Sequence, residues 1–253
     1  LKKTDYILFL IVIPQLLCAS LWFASNGVMD DLVNAFNLPD SSLGHLTSVV
    51  QFGFIVGTLL FALLNIVDRF SPSRVFFVCA LVASAFNSGT IWENNSLNSL
   101  LVLRFFTGFF LAGIYPVGMK IAADYYDKGL GKALGFLVGA LVVGTAFPHS
   151  LKAFSSGLPW QQVIIITSVV ATTGGVMMIL LVPDGPFRKP GQKIEYINIF
   201  RVFKNREFRS AAFGYFGHMW ELYAFWAFVP AIILSYVQLH PSTELDVSAL
   251  SFY

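Results

Sequence analysis

The sequence predicts an all-α integral membrane protein. Of its 253 residues, 56% are hydrophobic, 12% are charged and 26 are phenylalanine, and the mean hydropathy is +0.71. A soluble chain cannot bury so much apolar surface. A bilayer core about 30 Å thick needs about 20 apolar residues per helix, and seven stretches approach or exceed that length. They run over residues 6–27, 43–66, 74–92, 97–122, 133–150, 163–182 and 211–237.

Polar segments separate these stretches in order. The first stretch is expected to be a retained helix, because it is too long for a signal peptide and has no small-residue cleavage site before its polar exit at Asn26. A charged hairpin over residues 64–74 joins the second and third stretches. A proline-containing polar segment, residues 183–209, precedes the seventh, and its second part has the amphipathic pattern of an interfacial helix.

The distribution of basic residues predicts the orientation. Placing the N-terminus in the cytoplasm leaves only Lys152 in an outer loop and Arg104 within the membrane, with the other Lys and Arg residues inside. The net charge of +2 therefore reflects topology and gives no reason to expect nucleic acid as a partner. We expect an integral protein of a bacterial inner (plasma) membrane with a cytoplasmic N-terminus.

Enzymatic function is not expected. The sequence has no glycine-rich phosphate loop, no nucleophile elbow and no metal-spaced cluster of Cys and His, so it predicts neither a cofactor nor a metal site. Cys18 and Cys79 fall inside apolar stretches, where they behave as small hydrophobic residues.

Three local patterns resemble the major facilitator superfamily. The hairpin carries Asp68, Arg69 and Arg74 in the register of the family motif G-x-x-x-D-R-x-G-x-R-R, although Leu64, Ser71 and Ser73 depart from it. Arg104 and Gly108 match the family's R-x-x-x-G pattern in helix 4, and DYYDKGLGKALG resembles the run that follows it. The helix 5 antiporter motif is incomplete, because Ala140 and Val143 stand where Pro and Gly belong, which argues against an antiporter.

The resemblance implies a helical bundle with inverted three-helix repeats. A faint internal repeat is compatible with this, since FGFIVG ending at Gly57 recurs as GALVVG ending at Gly144, although chance is an alternative explanation. The implied domains are an N-terminal six-helix bundle (1–182), a cytoplasmic linker (183–209), and the start of a C-terminal bundle with helix 7 and the beginning of helix 8 (210–253). Family members have twelve spans, so either the remaining half lies outside this sequence or the chain needs a partner.

The resemblance also implies a gate at one membrane surface. In the family the aspartate of the hairpin caps a neighbouring helix and the last arginine pairs with an acid at the end of helix 4. The corresponding residues here are Asp68, Arg69, Arg74 and Asp124.

Polar residues within the apolar stretches are the candidates for solute binding, because they must avoid lipid. The set consists of Gln15, Trp22, Asn26, Gln51, Arg104, Tyr115 and Trp220. For Arg104 two interpretations stay open, contact with an anionic solute or hydrogen bonds to backbone carbonyls. Glycine stripes at Gly108, Gly131, Gly135 and Gly139 are interpreted as helix-packing seams.

The seventh stretch, GYFGHMWELYAFWAFVP, contains the strongest candidate for proton coupling. His218 and Glu221 stand one turn apart on a helix face that also carries glycines. A buried carboxyl beside an imidazole can take up and release protons near neutral pH, or the pair can simply join helices. The leading hypothesis is a secondary active transporter, of symporter type, that moves a small solute across the bilayer by alternating access with protons as the driving ion. The alternative is a membrane scaffold or receptor built on a transporter-like half bundle.

Overall fold

The coordinates are a computed structural model that describes residues 3–39, 41–154, 158–188 and 201–240. The α-helices with both ends in these ranges are α1 (Lys3–Ala19), α2 (Met29–Phe36), α3 (Ser42–Leu63), α4 (Ile66–Arg69), α5 (Pro72–Ser88), α6 (Leu97–Leu111), α7 (Tyr115–Tyr125), α8 (Leu130–Phe154), α9 (Trp160–Leu181) and α10 (Arg206–Leu239).

The described helices reproduce the second to sixth predicted spans. Five segments are long and apolar enough to cross a bilayer: Ser42–Leu63, Pro72–Ile91, Leu97–Tyr125, Leu130–Ala153 and Trp160–Leu181. Their ends lie within four residues of the predicted ones. α10 is bent by 49° between Val229 and Ala231 and makes a sixth span if its two parts are counted together. The bend falls at Pro230, which has no backbone N–H to donate to the preceding turn.

The first span differs from its prediction. Its apolar helix covers only Tyr6–Ala19, whereas a continuous helix over residues 6–27 was expected. Residues 20–25 form turns, followed by a 3₁₀ turn at Asn26–Val28. The backbone N–H groups of Leu21 and Trp22 donate to carbonyls three residues earlier instead of four, so the helix tightens and stops.

The chain divides into two compact units, residues 1–191 and 192–251. The predicted interfacial helix of the linker falls mainly on residues 189–200, outside the described residues, as does the predicted start of an eighth span beyond residue 240. Within the second unit, the described part consists mainly of α10.

Helix packing in the first unit has the symmetry of an inverted three-helix repeat. α1 packs on α8 and α9, α6 packs on α3 and α5, and α5 packs on α9. Exchanging the first three spans for the second three converts the two contacts of α1 into the two contacts of α6 and leaves the α5–α9 pair unchanged. The paired glycines obey the same rule: a Cβ at Gly57 would lie 2.9 Å from Cβ of Ala112, and one at Gly144 would lie 2.6 Å from Cβ of Ala19. The predicted repeat is confirmed.

Glycine makes the crossing of α3 and α6 tight. A Cβ at Gly108 would overlap the carbonyl oxygen of Val50 and lie 3.0 Å from its Cα, so Gly108 is a packing residue, as interpreted from the sequence. The same interpretation does not hold for Gly131, Gly135 and Gly139 within the described part of the chain, because an added Cβ there meets nothing within 4 Å.

Candidate solute-binding site

Two spans of the first unit are interrupted at equivalent positions of the repeat. α1 ends at Ala19, and α6 ends at Leu111, one residue before Ala112, the repeat partner of Ala19. The second interruption continues into α7, which begins at Tyr115 and has Pro116 in its first turn. Interrupted helices at corresponding positions of two repeats are the arrangement in which transporters bind substrate, because the broken backbone offers free polar groups at membrane depth.

Arg104 binds the carbonyl groups that the break in α1 releases. Its two terminal nitrogens donate to Leu21 O at 3.2 Å and to Trp22 O at 2.5 Å, and one of them also donates to Asn87 Oδ1 at 3.2 Å. The side chain is only 1% exposed. A guanidinium in an apolar bundle needs several acceptors, and the broken helix supplies two. In this structure Arg104 therefore has the backbone contacts of the second interpretation.

Asn87 extends this polar network to another helix. Its Nδ2 donates to Ser168 Oγ at 2.9 Å and to Thr167 Oγ1 at 3.3 Å, both on α9. The network thus joins α6, the break in α1, α5 and α9, and each of its members is buried. Sequence reasoning missed Asn87. The available signal was a large amide near the end of the third apolar stretch, which needs partners when it is buried.

Gln15 lies on α1 one turn before the break, and its side chain has no hydrogen-bond partner among the described residues. It is 1% exposed, and neither its Oε1 nor its Nε2 bonds to any described residue. The side chain packs against Gly118 of α7, with Phe76 nearby. An amide left unpaired in an apolar environment costs about 1–3 kcal/mol on protein mutational scales, so the buried amide of Gln15 has unused hydrogen-bonding capacity.

Trp22 and Asn26 contact the second span, and Gln51 belongs to that span. The ring of Trp22 packs on Phe54 with centroids 4.7 Å apart, and Asn26 Nδ2 donates to Thr47 Oγ1 at 2.8 Å. Gln51, one turn from Phe54 on α3, keeps a buried Nε2 without a partner among the described residues. A ring contact and a hydrogen bond therefore join the residues after α1 to α3, and Gln51 adds an unsatisfied amide nitrogen on α3.

The remaining solute candidates lie elsewhere. Tyr115 is half-buried at the second helix interruption, where it begins α7. Trp220 belongs to α10 in the second unit and is 77% exposed. The structure thus joins Arg104 to the backbone of Trp22 and joins Trp22 and Asn26 to α3. Gln15 lies on α1 and Gln51 on α3, each with at least one amide atom unpaired among the described residues, whereas Tyr115 lies at the equivalent break and Trp220 in a separate unit.

At one end of the first unit, Asp124 pairs with Lys120 and not with Arg74, the partner that the resemblance implies. Lys120 Nζ lies 2.6 Å from Asp124 Oδ1 and 3.8 Å from Asp68 Oδ1. Lys120 stands one turn before Asp124 on α7, so it reaches the carboxylate without any movement between helices. Arg74 and Arg69 are exposed and lie within 4 Å of no carboxylate in the described part of the chain. The Arg74–Asp124 pair implied by the resemblance is not formed in this structure.

The segment after α9 is fastened to the same end of the unit. Ser73 Oγ donates to Val182 O at 2.6 Å, and Ser71 Oγ donates to Asp184 Oδ1 at 2.6 Å. The backbone N–H of Phe187 donates to the carbonyl of Asp124 at 3.0 Å. Residues 182–188 are therefore held by both the α4–α5 hairpin and α7.

His218 and Glu221 are neighbours on α10, with His218 Nδ1 4.0 Å from Glu221 Oε2. Their side chains are 63% and 79% exposed. The predicted spacing on one helix face is therefore present, and both side chains are exposed.

These features define an integral membrane protein whose first unit is a bundle of apolar helices, two of them interrupted. The chain belongs to the Major Facilitator Superfamily, whose family model matches residues 11–253. The resemblance inferred from the hairpin and the fourth span is thus confirmed.

A solved structure and several relatives agree with this assignment. The fold matches a bacterial homolog to the human lysosomal transporter Spinster, in an inward-facing and unoccupied conformation, with a TM-score of 0.69 and 19% identity over 100% of this chain and 59% of that chain. The efflux pump FUB11 of Gibberella moniliformis is 29% identical over 59% of this chain and 28% of its own length.

Two bacterial relatives are similarly distant. The putative niacin/nicotinamide transporter NiaP of Bacillus subtilis is 26% identical over 60% of this chain and 37% of its own length. The 4-hydroxybenzoate transporter PcaK of Pseudomonas putida is 24% identical over 61% of this chain and 34% of its own length. The chain thus matches about a third of the length of these relatives.

Proposed function

We propose that the protein is a secondary active transporter that moves a small solute across the membrane by alternating access. Membership of the superfamily supports this, but the observation that carries the proposal is the matched pair of helix interruptions after Ala19 and Leu111. Two interruptions related by the repeat provide a polar site inside an apolar bundle that can face either side as the spans rock.

The proposed solute is a small aromatic acid or amide. Trp22 and Phe54 offer an aromatic surface, and the amides of Gln15 and Gln51 have unpaired hydrogen-bonding atoms that suit a carboxylate or carboxamide. The names of NiaP and PcaK point to solutes of this type for those proteins. In this proposal Arg104 acts as a positioning residue that holds Trp22 through its backbone, while Asn26 and Tyr115 complete the polar lining.

Binding and transport assays test the site. We expect radiolabelled nicotinate or 4-hydroxybenzoate to bind the purified protein, and Gln15→Leu to weaken binding by about tenfold through loss of one hydrogen bond to a charged group. Gln161→Leu is the matched control, because Gln161 is an exposed glutamine at the start of α9. Equal binding by both variants would remove Gln15 from the site. Binding without accumulation in proteoliposomes would favour the receptor alternative.

We propose further that protons drive transport through Glu221, assisted by His218. The two groups lie on one face of α10, 4.0 Å apart. A carboxylate that is exposed in one facing state and buried in the other changes its proton affinity between them, which couples proton movement to rocking. With the N-terminus in the cytoplasm, the hairpin at Asp68 and the segment after α9 lie on the inner side, in agreement with the excess of basic residues there.

A further inference from the structure

A groove of about 780 Å³ lies beside the gate residues of the first unit. Its floor is apolar and is formed by Phe61 of α3, Val78 of α5, Phe110 of α6 and Ile179 of α9. Its rim carries the guanidinium groups of Arg69, Arg74 and Arg188. The volume falls within the range of about 300–1,000 Å³ that is usual for ligand sites.

The charges on the rim are only partly neutralised. Arg188 pairs with Asp184 and donates to Phe70 O at 2.8 Å, so it is fixed in place. Arg69 and Arg74 are exposed, and in the described ranges neither has a carboxylate within 4 Å. Two uncompensated guanidinium groups above an apolar floor are complementary to a ligand with an anionic head and an apolar body.

The groove opens on a surface of exposed apolar side chains. Val78, on the floor of the groove, is 52% exposed, and Leu180, next to the groove residue Ile179 on α9, is 74% exposed. Both belong to spans that are long enough to cross the bilayer. Apolar side chains so exposed on membrane-spanning helices contact hydrocarbon, and the adjacent arginines stand at the level of the headgroups.

We propose that this groove binds an anionic glycerophospholipid from the adjoining leaflet. The phosphate lies between Arg69 and Arg74, and an acyl chain follows the floor past Val78. The apolar floor selects a lipid over a soluble anion, because a free phosphate gains nothing from Phe61 and Phe110. The site is distinct from the solute site, and its existence does not depend on transport.

Lipid titration of the purified, delipidated whole protein tests this proposal. Native mass spectrometry measures binding of phosphatidylglycerol and phosphatidylcholine with matched acyl chains. We expect phosphatidylglycerol to bind more tightly, and the double variant Arg69→Gln/Arg74→Gln to lose at least about tenfold in affinity for it. Arg206→Gln/Arg209→Gln, which removes the same charge from an exposed segment of α10, is expected to bind normally. Size-exclusion profiles show whether each variant is folded.

Two further arms separate a lipid from a soluble anion. Val78→Trp fills the floor while leaving the arginines intact, and we expect it to reduce phosphatidylglycerol binding by a similar factor. Inorganic phosphate at millimolar concentration is expected not to displace the lipid. Equal loss in both double variants, equal binding of the two lipids, displacement by phosphate, or normal binding by Val78→Trp would each overturn the proposal. None of these results bears on solute transport, which is measured separately.

Discussion

Replacing Arg104 by methionine tests the role of the buried network in holding the broken first span. The substitution keeps most of the side-chain volume but removes the donors to Leu21 O, Trp22 O and Asn87 Oδ1. Each buried acceptor left unpaired destabilises the folded protein by about 1–3 kcal/mol. Removing the guanidinium also removes the cost of placing a charge in the apolar bundle, which is at least about 2.5 kcal/mol. Taking the middle of the first range for three acceptors, we expect a net destabilisation of about 3 kcal/mol.

The assay is thermal unfolding of the purified protein in detergent. We expect Arg104→Met to lower the unfolding midpoint by at least about 5 °C. Arg104→Lys should lower it less than Arg104→Met does, because the lysine ammonium still donates to some of the three acceptors, although to fewer than the planar guanidinium. Arg69→Met is the control, since Arg69 is exposed and pairs with no described carboxylate. If Arg104→Met unfolds at the same temperature as Arg69→Met, the network does not stabilise the break.

Three other predictions follow from the topology, the proposed coupling and the packing. In a background without native cysteines, single cysteines at the exposed positions Phe70 and Glu93 should react with an impermeant thiol reagent from opposite sides of the membrane; reaction from one side would refute the orientation of these loops. Glu221→Gln should abolish proton-driven accumulation in proteoliposomes while solute exchange continues, and accumulation with unchanged pH dependence would exclude Glu221 as the coupling group. Gly108→Ala should destabilise the protein by about 1–3 kcal/mol through overpacking against α3, whereas Gly139→Ala, where an added Cβ meets nothing within 4 Å, should be neutral in the same unfolding assay.

The solute-binding candidates show which properties of a residue can be predicted from its sequence pattern. A large polar side chain in an apolar span must lie away from lipid, which was sufficient to select Gln15 and Arg104. Their opposite hydrogen-bonding states were not predictable, because Arg104 finds two of its acceptors where α1 breaks, up to 83 residues earlier in the chain, and the groups beside Gln15, Gly118 and Phe76, lie on other helices.

At the gate residues, too, the sequence predicted the location of the charged groups but not their partners. The motif located Asp68 and Asp124 correctly at one end of the bundle, since both come at the ends of apolar spans. The partner of Asp124 was not determined by the motif, because Lys120 and Arg74 compete for one carboxylate, and the outcome depends on the distance between helices. In this structure Lys120 on the same helix is the one within reach, at 2.6 Å.

The sequence by itself determined the membrane class, the approximate ends of five spans, the family and the repeat register at Gly57 and Gly144. Hydropathy and glycine spacing are local properties, and the free energy of transfer to lipid acts on each segment separately. The tertiary structure alone decided where the first span breaks, which carbonyls Arg104 binds, how Asn87 links α5 to α9, and how Arg69, Arg74 and Arg188 surround one groove. Each of these depends on atoms distant in the chain that meet only after the helices pack.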